Sequence, residues 1–279
     1  MRADSRTLIQ DMPRLAVLCI AATLMLIPYV WMLTVSVKPQ DEVFRASLTL
    51  IPEKWALIEN YGKVLRTIPV VTFVMNGLIV CFGILFFQLL FAIPAAYALA
   101  KLQFRGREVL FGFVMLGLLV PYQTTALPLY MGFHHAGLLN SYTALIAPFT
   151  CSVFAIFLFR QFFKALPDDL IAAARIDGMG EFSIVWRVIL PNALPAATAF
   201  AIFSVVAHWN DLFWPLIVIQ KGSLYTPAMG ILAFRSVEAG EDYGALMAAA
   251  TLVASPLVIA FLFAQRRFIE GVTMTGLKG

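Results

Sequence analysis

The chain has 279 residues, of which 61% are hydrophobic and only 13% are charged, with a mean hydropathy of +0.86 and a formal net charge of +4. A soluble domain carries about 25% charged residues, so this composition excludes an ordinary soluble protein and indicates a membrane protein. Cys19, Cys81 and Cys151 lie in apolar stretches without metal-site spacing, so we expect buried thiols and no bound metal.

Six apolar stretches are long enough to cross a bilayer as helices. They lie at about 15–37, 70–100, 109–133, 140–163, 193–219 and 244–264. A removable signal peptide is the alternative for the first stretch. The apolar run from Leu15 is longer than a typical signal core and has no clear cleavage site, so we expect a retained span.

Basic residues predict the orientation of these spans. If the N-terminus is cytoplasmic, thirteen of the 20 lysines and arginines lie on the inner side, as the positive-inside rule requires. We therefore expect a cytoplasmic N-terminal segment (1–14), a permease domain (15–265) and a cytoplasmic C-terminal tail (266–279). This bias accounts for the positive net charge, so we expect membrane lipid and no nucleic acid as a partner.

A few polar side chains occur within the predicted spans and are candidates for a translocation path or gate. They are Asn76, Gln123, Asn210 and Asp211. Asp211 follows Pro191 by about twenty residues, which places it near the outer interface at about 1.5 Å per helical residue. There a packing or gating role is favoured over direct contact with a solute.

A charged amphipathic stretch at 167–195 separates the fourth and fifth spans. Pro167 suits the first position of a helix, and Asp168 and Asp169 follow at the positive end of its dipole. Asp177 and Gly178 interrupt this helix, with Gly178 or Gly180 in the left-handed conformation. The stretch therefore predicts two short cytoplasmic helices joined by a tight turn.

The second of these helices is predicted to have one apolar face, formed by Phe182, Val185, Trp186 and Ile189. An alternative is a helix that lies on lipid headgroups, whose polar face should be mainly basic. Here four acidic residues outnumber two arginines, so the polar face is not mainly basic. This balance favours a protein partner.

Several motifs resemble those of the membrane subunits of bacterial ABC importers, in particular carbohydrate-uptake permeases of the maltose inner-permease type. The polar stretch has Ala172-Ala173-Ala174, Asp177-Gly178 and Leu190-Pro191 with Pro195 in the order of the family signature. The other matching segments are SVKP at 36–39, ENY at 59–61, PAAYALAKLQFRGR at 94–107, VPYQTTALPLY at 120–130, WND at 209–211 and the C-terminal QRRFIEGVTMTGLKG. FLFRQFF at 157–163 is similar to the glycerol-phosphate importer's permease.

The resemblance implies an all-α, multi-pass protein of the bacterial inner membrane that works with three kinds of partner. These are a second homologous permease, a cytoplasmic ATPase dimer that binds ATP and Mg, and a periplasmic or lipid-anchored solute-binding protein. The chain itself is expected to be a transport subunit without a cofactor or enzymatic activity, and it has no phosphate-binding GxxxxGK[ST] loop.

The same resemblance implies that residues 167–191, hereafter the coupling segment, dock on the ATPase. The implied contact residues are Asp169, Ala172, Ala173, Ala174, Asp177, Gly178, Met179, Gly180, Glu181 and Phe182. The C-terminal tail is expected to contact the ATPases through Gly271, Gly276, Lys278 and Gly279. One position departs from the signature, because Ala172 stands where the family has glutamate. Either Asp169 or Glu181 replaces that glutamate, or the contact depends on packing alone.

The sequence disfavours two other classes of function. An intramembrane enzyme needs converging catalytic groups at depth, and an ion-coupled carrier needs carboxylates within its bundle. Spans two to four contain no Asp, Glu, Lys or His at mid-depth, which disfavours both classes. The solute stays open between a sugar, a disaccharide and a polyol phosphate.

Overall fold

The computed structural model describes residues 5–45, 49–237 and 242–276, and these ranges form helices joined by turns, without a strand. The α-helices are α1 (Ser5–Ser36), α2 (Gln40–Val43), α3 (Leu57–Thr67), α4 (Val70–Lys101), α5 (Arg107–Gly117), α6 (Ala126–His135), α7 (Tyr142–Ile146), α8 (Val153–Ala165), α9 (Asp168–Ile176), α10 (Glu181–Ile184), α11 (Leu190–Asn192), α12 (Leu194–Trp209), α13 (Phe213–Val218), α14 (Pro227–Val237) and α15 (Tyr243–Gly276). The predicted all-α class is confirmed.

Several of these helices are long and apolar enough to cross a membrane. Three qualify alone: Met12–Ser36, Val70–Lys101 and Tyr243–Phe263. Three more qualify as bent pairs: Arg107–Gly117 with Tyr122–His135, Tyr142–Phe149 with Val153–Ala165, and Glu181–Asn192 with Leu194–Trp209. Within the described residues the chain therefore has three candidate spans, or up to six if each bent pair is one span.

The third and fifth predicted spans are each interrupted in the structure. The halves of the third meet at 90°, because Pro121 has an extended backbone (ψ 127°) and cannot donate an amide hydrogen bond. The fifth was expected to reach residue 219, but α12 ends at Trp209. The carboxylate of Asp211 then accepts a hydrogen bond from the amide of Phe213 (3.0 Å), which caps α13 and fixes the break.

The fourth predicted span bends by 42° between Phe149 and Val153. The hydroxyl of Ser152 accepts a hydrogen bond from the amide of Ala155 (3.1 Å) and so caps α8 at its start. Hydropathy averages the apolar character of a stretch and does not detect such a cap, so the position of this bend was not predicted.

By internal contacts the chain divides into two compact units, 1–70 with 231–254 and 71–230 with 255–279. In the first unit the side-chain amide of Asn60 donates hydrogen bonds to the backbone carbonyl oxygens of Ser36 (2.9 Å) and Lys38 (2.8 Å). These acceptors lie at and just beyond the end of α1, where helical partners are lacking. Gly244 packs on the same amide, since a Cβ there would lie 2.8 Å from Nδ2 of Asn60.

The second unit has two clusters of buried apolar residues. The first joins α4, α8 and α12 to the coupling segment and includes Ile93, Tyr97, Phe159, Phe163, Ile171, Ile184, Ile189 and Phe200. The second joins α4 to α7 and α13 and includes Val80, Ile84, Leu145, Trp214 and Val218. The coupling segment is thus part of the core of this unit.

The expectation that all three cysteines are buried was wrong. Cys81 is buried, but Cys19 and Cys151 are exposed. Cys19 lies on α1, whose apolar side chains are largely uncovered within the chain. Cys151 lies in the bend between α7 and α8 rather than inside a continuous helix. An apolar sequence neighbourhood predicts an apolar environment, which in a membrane protein includes lipid as well as a protein core.

Candidate functional site

The first half of the coupling segment is α9, which begins at Asp168. Pro167 was expected to be the first helical residue, but it is the extended residue before the helix (ψ 135°). The side chain of Lys101, at the end of α4, donates hydrogen bonds to Asp168 (2.5 Å) and to the carbonyl oxygen of Leu166 (2.6 Å). The hydrogen bond from Lys101 lowers the pKa of Asp168, and the two bonds together connect α4 to the start of the segment.

A tight turn at Asp177 and Gly178 ends α9, as the sequence predicted. Gly178 has the left-handed conformation (φ +79°), whereas Gly180 does not (φ −73°). The amide of Met179 donates to the carbonyl oxygen of Ala174 (3.0 Å), and that of Asp177 donates to Ala173 (3.0 Å). These bonds satisfy carbonyl groups that the end of a helix leaves without partners.

The second half of the segment consists of α10, a π turn (Val185–Ile189) and α11. Val185 and Ile189 are buried and Trp186 is half-buried, but Phe182 is 71% exposed. Phe182 was expected on the same buried face. The π turn adds a residue to the helical repeat and so shifts the face, and Ile184 takes the buried position instead.

Glu181 connects the two halves of the segment to α4. Its carboxylate accepts a hydrogen bond from the guanidinium of Arg175 (2.8 Å) and another from the hydroxyl of Tyr97 (2.6 Å). The bond from Arg175, followed by that from Tyr97, lowers the pKa of Glu181. Glu181 is therefore engaged within the chain, whereas Asp169 is exposed on α9.

Around the turn, several small and apolar side chains lie on the surface. Ile176 is 86% exposed, and Phe182 is exposed on the other side of Gly178. On α9, Ala172 and Ala173 are exposed while Ala174 is buried. We refer to the surface formed by Ala172, Ala173, Ile176 and Phe182 as the candidate docking surface, or docking surface. It combines two large apolar side chains with the small side chains of α9. An exposed apolar patch of this kind is typical of an interaction site.

Two of the four predicted tail residues fall near the end of α15. Gly271 and Gly276 lie within this helix, which continues to Gly276 and does not stop at the predicted tail boundary of residue 266. Lys278 and Gly279 lie outside the described residues.

The candidate path residues fall into two groups. Asn76 is buried, donates to the carbonyl oxygens of Ser223 (2.9 Å) and Tyr225 (2.9 Å), and accepts from the hydroxyl of Tyr142 (2.6 Å). Both the nitrogen and the oxygen of its side-chain amide are thus hydrogen-bonded within the chain. Gln123 is exposed in a short 3-10 turn. Neither Asn76 nor Gln123 lines the cavity that Asn210 and Asp211 line.

Asn210 and Asp211 do line a cavity, which lies within the second unit and has a volume of about 710 Å³. Tyr122 also lines it, and its ring makes edge contacts with Phe149 (6.3 Å between centroids) and Phe213 (5.7 Å). The side chain of Asp211 lies near the hydroxyl of Tyr122. The bends at Pro121 and Asp211 thus bring polar and aromatic groups to one concave surface.

Behind this surface, Gln88 holds a buried polar cluster together. It donates to the carbonyl oxygen of Phe149 (3.0 Å) and accepts from the hydroxyl of Ser204 (2.6 Å). The ring of His208 lies 3.4 Å from the Gln88 amide nitrogen and packs on the Phe149 ring (4.7 Å). These contacts give His208 a packing role. Gln88 and Tyr122 were absent from the predicted site, although a polar residue within an apolar span was a signal for Gln88.

The helical fold with its candidate spans is that of a multi-pass membrane protein. Residues 88–273 match the family of binding-protein-dependent transport system inner membrane components, and the chain belongs to this family. It is therefore a multi-pass inner membrane component of a bacterial transporter, as the sequence motifs implied.

Among its relatives, the arabinooligosaccharides transport system permease protein of Bacillus subtilis (strain 168) is 34% identical over 295 residues, which covers 98% of this chain and 100% of the relative. The sn-glycerol-3-phosphate transport system permease protein of Yersinia pestis is 31% identical over 261 residues, covering 91% and 93%. A bacterial ABC transporter involved in import of the acidic polysaccharide alginate has a chain of the same fold, with a TM-score of 0.80, 22% identity, and coverage of 96% and 99%.

Proposed function

We propose that the chain is one of two permease subunits of an ATP-driven importer for a carbohydrate or related polyol. In this proposal the second subunit is a homologous permease, and a periplasmic or lipid-anchored binding protein delivers the solute. A cytoplasmic ATPase dimer binds ATP and Mg and hydrolyses the nucleotide, while this chain forms part of the path. Membership of the family and the names of its relatives support these assignments.

The observation that carries the proposal is the docking surface beside Gly178. Ile176 and Phe182 are exposed, although the segment on which they lie is tied to α4 through Tyr97 and Lys101. A protein groove that covered this surface would bury apolar area and could pull on α4. We propose that the ATPase provides the groove. Because Glu181 is engaged within the chain, Asp169 or packing alone replaces the glutamate missing at Ala172.

The proposed topology has six spans with both termini in the cytoplasm. The third span is α5 with α6 and the fourth is α7 with α8. The fifth begins at α12, after the coupling segment. Residues 15–265 then form the permease domain, with the coupling segment on the cytoplasmic side. In this arrangement α4, with 32 residues and a length of about 48 Å, exceeds the hydrocarbon thickness of about 30 Å. We propose that its excess length extends towards the cytoplasm. The tail residues 266–279 extend to the ATPases.

The test is solute uptake by the assembled transporter with the catalytic glutamate of the partner ATPase replaced by glutamine. We expect uptake to stop while the complex still assembles. Undiminished uptake would overturn ATP-driven import and favour an ion-coupled carrier. Labelling of a cysteine placed at Asp177 with an impermeant thiol reagent tests the topology, and labelling from the periplasmic side would contradict it.

A second candidate within the same class is a transporter for a glycerol-phosphate-type solute. The specific observation in its favour is the 31% identity to the sn-glycerol-3-phosphate permease protein over nearly the whole chain. Relatives with neutral and with anionic cargo are about equally similar to this chain, so sequence identity alone does not separate the two solute classes.

A further inference from the structure

The cavity in the second unit has the size and lining of a small-molecule site. Its volume of about 710 Å³ lies within the range of about 300–1,000 Å³ that is usual for such sites. Such sites combine apolar and aromatic walls with a few oriented polar groups.

The aromatic wall is held in place by its own contacts. Tyr122 and Phe213 are both exposed, and each is fixed against the other by the edge contact of 5.7 Å. Phe149 supports Tyr122 from the other side. The face of an aromatic ring carries negative charge density and attracts the positively polarised C–H groups of an apolar ligand face. One face of a sugar ring presents such C–H groups.

The polar groups of the lining suit hydroxyls. Asp211 is fixed because one carboxylate oxygen accepts the amide of Phe213 (3.0 Å), and an ionised carboxylate has further acceptor positions for hydroxyl donors. Asn210 donates to the carbonyl oxygen of Val206 (2.8 Å), so its amide oxygen is oriented as an acceptor. A sugar hydroxyl can donate to either group.

The charge of the lining separates the two solute classes. None of the described residues that line the cavity is a lysine or an arginine, and the one imidazole, His208, packs on Phe149 beside Gln88. Recognition of a phosphate or carboxylate usually depends on arginine or lysine donors. Moreover, Asp211 would repel an anion, and this repulsion is stronger at low dielectric constant.

We infer that this cavity is a solute-contact site and that it takes a neutral sugar ring rather than a phosphorylated or acidic solute. The inference rests on the proposed import function and adds to it the class of solute and the contact residues Tyr122, Asp211 and Phe213. It also assigns to Asp211 the direct solute contact that its position in the sequence had disfavoured.

The first test measures the charge of the cavity without any solute. Cys151 lines the cavity and is exposed, so its modification can be followed by mass spectrometry in the purified transporter complex. The probes are a cationic methanethiosulfonate with a trimethylammonium group and an anionic one with a sulfonate, each normalised to its rate with a free thiol. We expect the cationic probe to react about tenfold faster, the order of effect that a unit charge nearby produces at intermediate dielectric constant.

The matched variant is Asp211→Asn, which keeps an oxygen for the amide of Phe213 but removes the charge. We expect it to abolish most of the preference for the cationic probe. A preference of the wild-type complex for the anionic probe, or an unchanged ratio in Asp211→Asn, would overturn the inference about charge.

The second test measures uptake into vesicles that contain the complete transporter with its binding protein. The probes are arabinotriose, lactose, sn-glycerol 3-phosphate and an alginate trisaccharide. We expect uptake of a neutral probe in preference to both anionic ones, with KM raised about tenfold or more by Tyr122→Ala and much less by Tyr122→Phe, which keeps the ring. Phe86→Ala is the control, because Phe86 is exposed on α4 but does not line the cavity.

The outcomes distinguish the inference from the proposed function. ATP-driven uptake of an anionic probe alone, or an unchanged KM in Tyr122→Ala, overturns the neutral-sugar site and leaves ATP-driven import intact. Uptake that proceeds without ATP overturns the proposed function, while the preference between neutral and anionic probes can still be measured.

Discussion

The hydroxyl of Tyr97, near the end of α4, donates a hydrogen bond of 2.6 Å to Glu181, at the start of α10. Tyr97 is buried, and Glu181 also accepts the guanidinium of Arg175 from α9. A single carboxylate therefore connects both helices of the coupling segment to a long apolar helix. If a partner displaced the coupling segment, the movement would be transmitted to α4 through this carboxylate and the Lys101–Asp168 ion pair.

Tyr97→Phe tests this connection. The substitution removes one hydrogen bond and keeps the buried ring, so we expect the coupling segment to lose about 1 kcal/mol of local stability. Amides of residues 168–190 should then exchange with solvent about fivefold faster in a hydrogen-exchange experiment. Tyr142→Phe is the matched control, because that hydroxyl bonds to Asn76 in another part of the unit. Equal exchange of the segment in the two variants would show that the Tyr97 hydroxyl does not stabilise it.

The pH dependence of stability tests the role of Glu181, which lies outside the apolar spans. Its pKa in the folded chain is lowered from 4.5 by the hydrogen bonds from Arg175 and Tyr97. A lowered pKa stabilises the fold above the unfolded-state value, and this contribution is lost as the pH falls through the folded-state value. The thermal midpoint of the wild type should therefore exceed that of Glu181→Gln above pH 4.5, and the difference should shrink below it. A difference that widens on acidification would contradict this assignment.

Features of the coupling segment that depend on local sequence were predictable. Two helices and a turn were predicted from Pro167 and the Asp177-Gly178 pair. Proline restricts φ at its own position, and glycine permits the left-handed conformation at its own. The partner of Glu181 was not predictable, since Tyr97 is 84 residues away in the sequence. The exposure of Phe182 was missed for another reason, because a π turn shifts the face that helical periodicity assigns.

The cavity could not be predicted from sequence patterns either, because it too depends on residues that are distant in the sequence. Its walls meet because the chain bends at Pro121 and again at Asp211, and hydropathy gives neither the position nor the angle of a bend. Asn210 and Asp211 were identified as polar residues in an apolar setting. Tyr122 and Phe213 carried no comparable signal, since aromatic residues are common in membrane helices that have no site.

Substitutions of Gly178 separate the conformation of the turn from its surface. Gly178 has φ +79°, and no heavy atom lies within 4 Å of a Cβ built there. Gly178→Asn should be tolerated because asparagine adopts the left-handed conformation readily, whereas Gly178→Ala should cost about 1–2 kcal/mol locally. Gly178→Trp adds bulk to the docking surface, so we expect it to abolish uptake without reducing the amount of inserted protein. Full uptake by this variant would rule out docking at the turn.

Gly180 provides the control for those substitutions. Its φ of −73° suits any residue, and a Cβ there also meets no atom within 4 Å. Gly180 is itself an implied contact residue, but a methyl group adds little bulk, so we expect Gly180→Ala to transport at close to the wild-type rate. Uptake lost equally in Gly180→Ala and Gly178→Asn would indicate that the whole loop is sensitive, rather than the left-handed position.

Arg160 of α8 provides a test of the core of the second unit. Its side chain is 3% exposed, donates to both carboxylate oxygens of Glu108 (3.0 and 2.9 Å) and to the carbonyl oxygen of Leu99 (3.1 Å), and lies 3.6 Å from the centre of the Phe111 ring. Lysine keeps the charge but not the planar fork, so Arg160→Lys should destabilise the chain by about 2 kcal/mol. Arg160→Leu should cost about 3 kcal/mol, at the low end for a broken buried pair, because Glu108 is 62% exposed and stays hydrated.

These losses should lower the thermal midpoint of the detergent-purified complex in the order wild type, Arg160→Lys, Arg160→Leu. The expected scale is about 2–4 °C for each kcal/mol in a domain of about 150–250 residues. Lys164→Leu is the matched control, since Lys164 is an exposed cation in the last turn of the same helix, and its midpoint should stay near that of the wild type. A midpoint for Arg160→Lys equal to the wild-type value would show that charge alone, without the fork of hydrogen bonds, holds α8 to α5 and the end of α4.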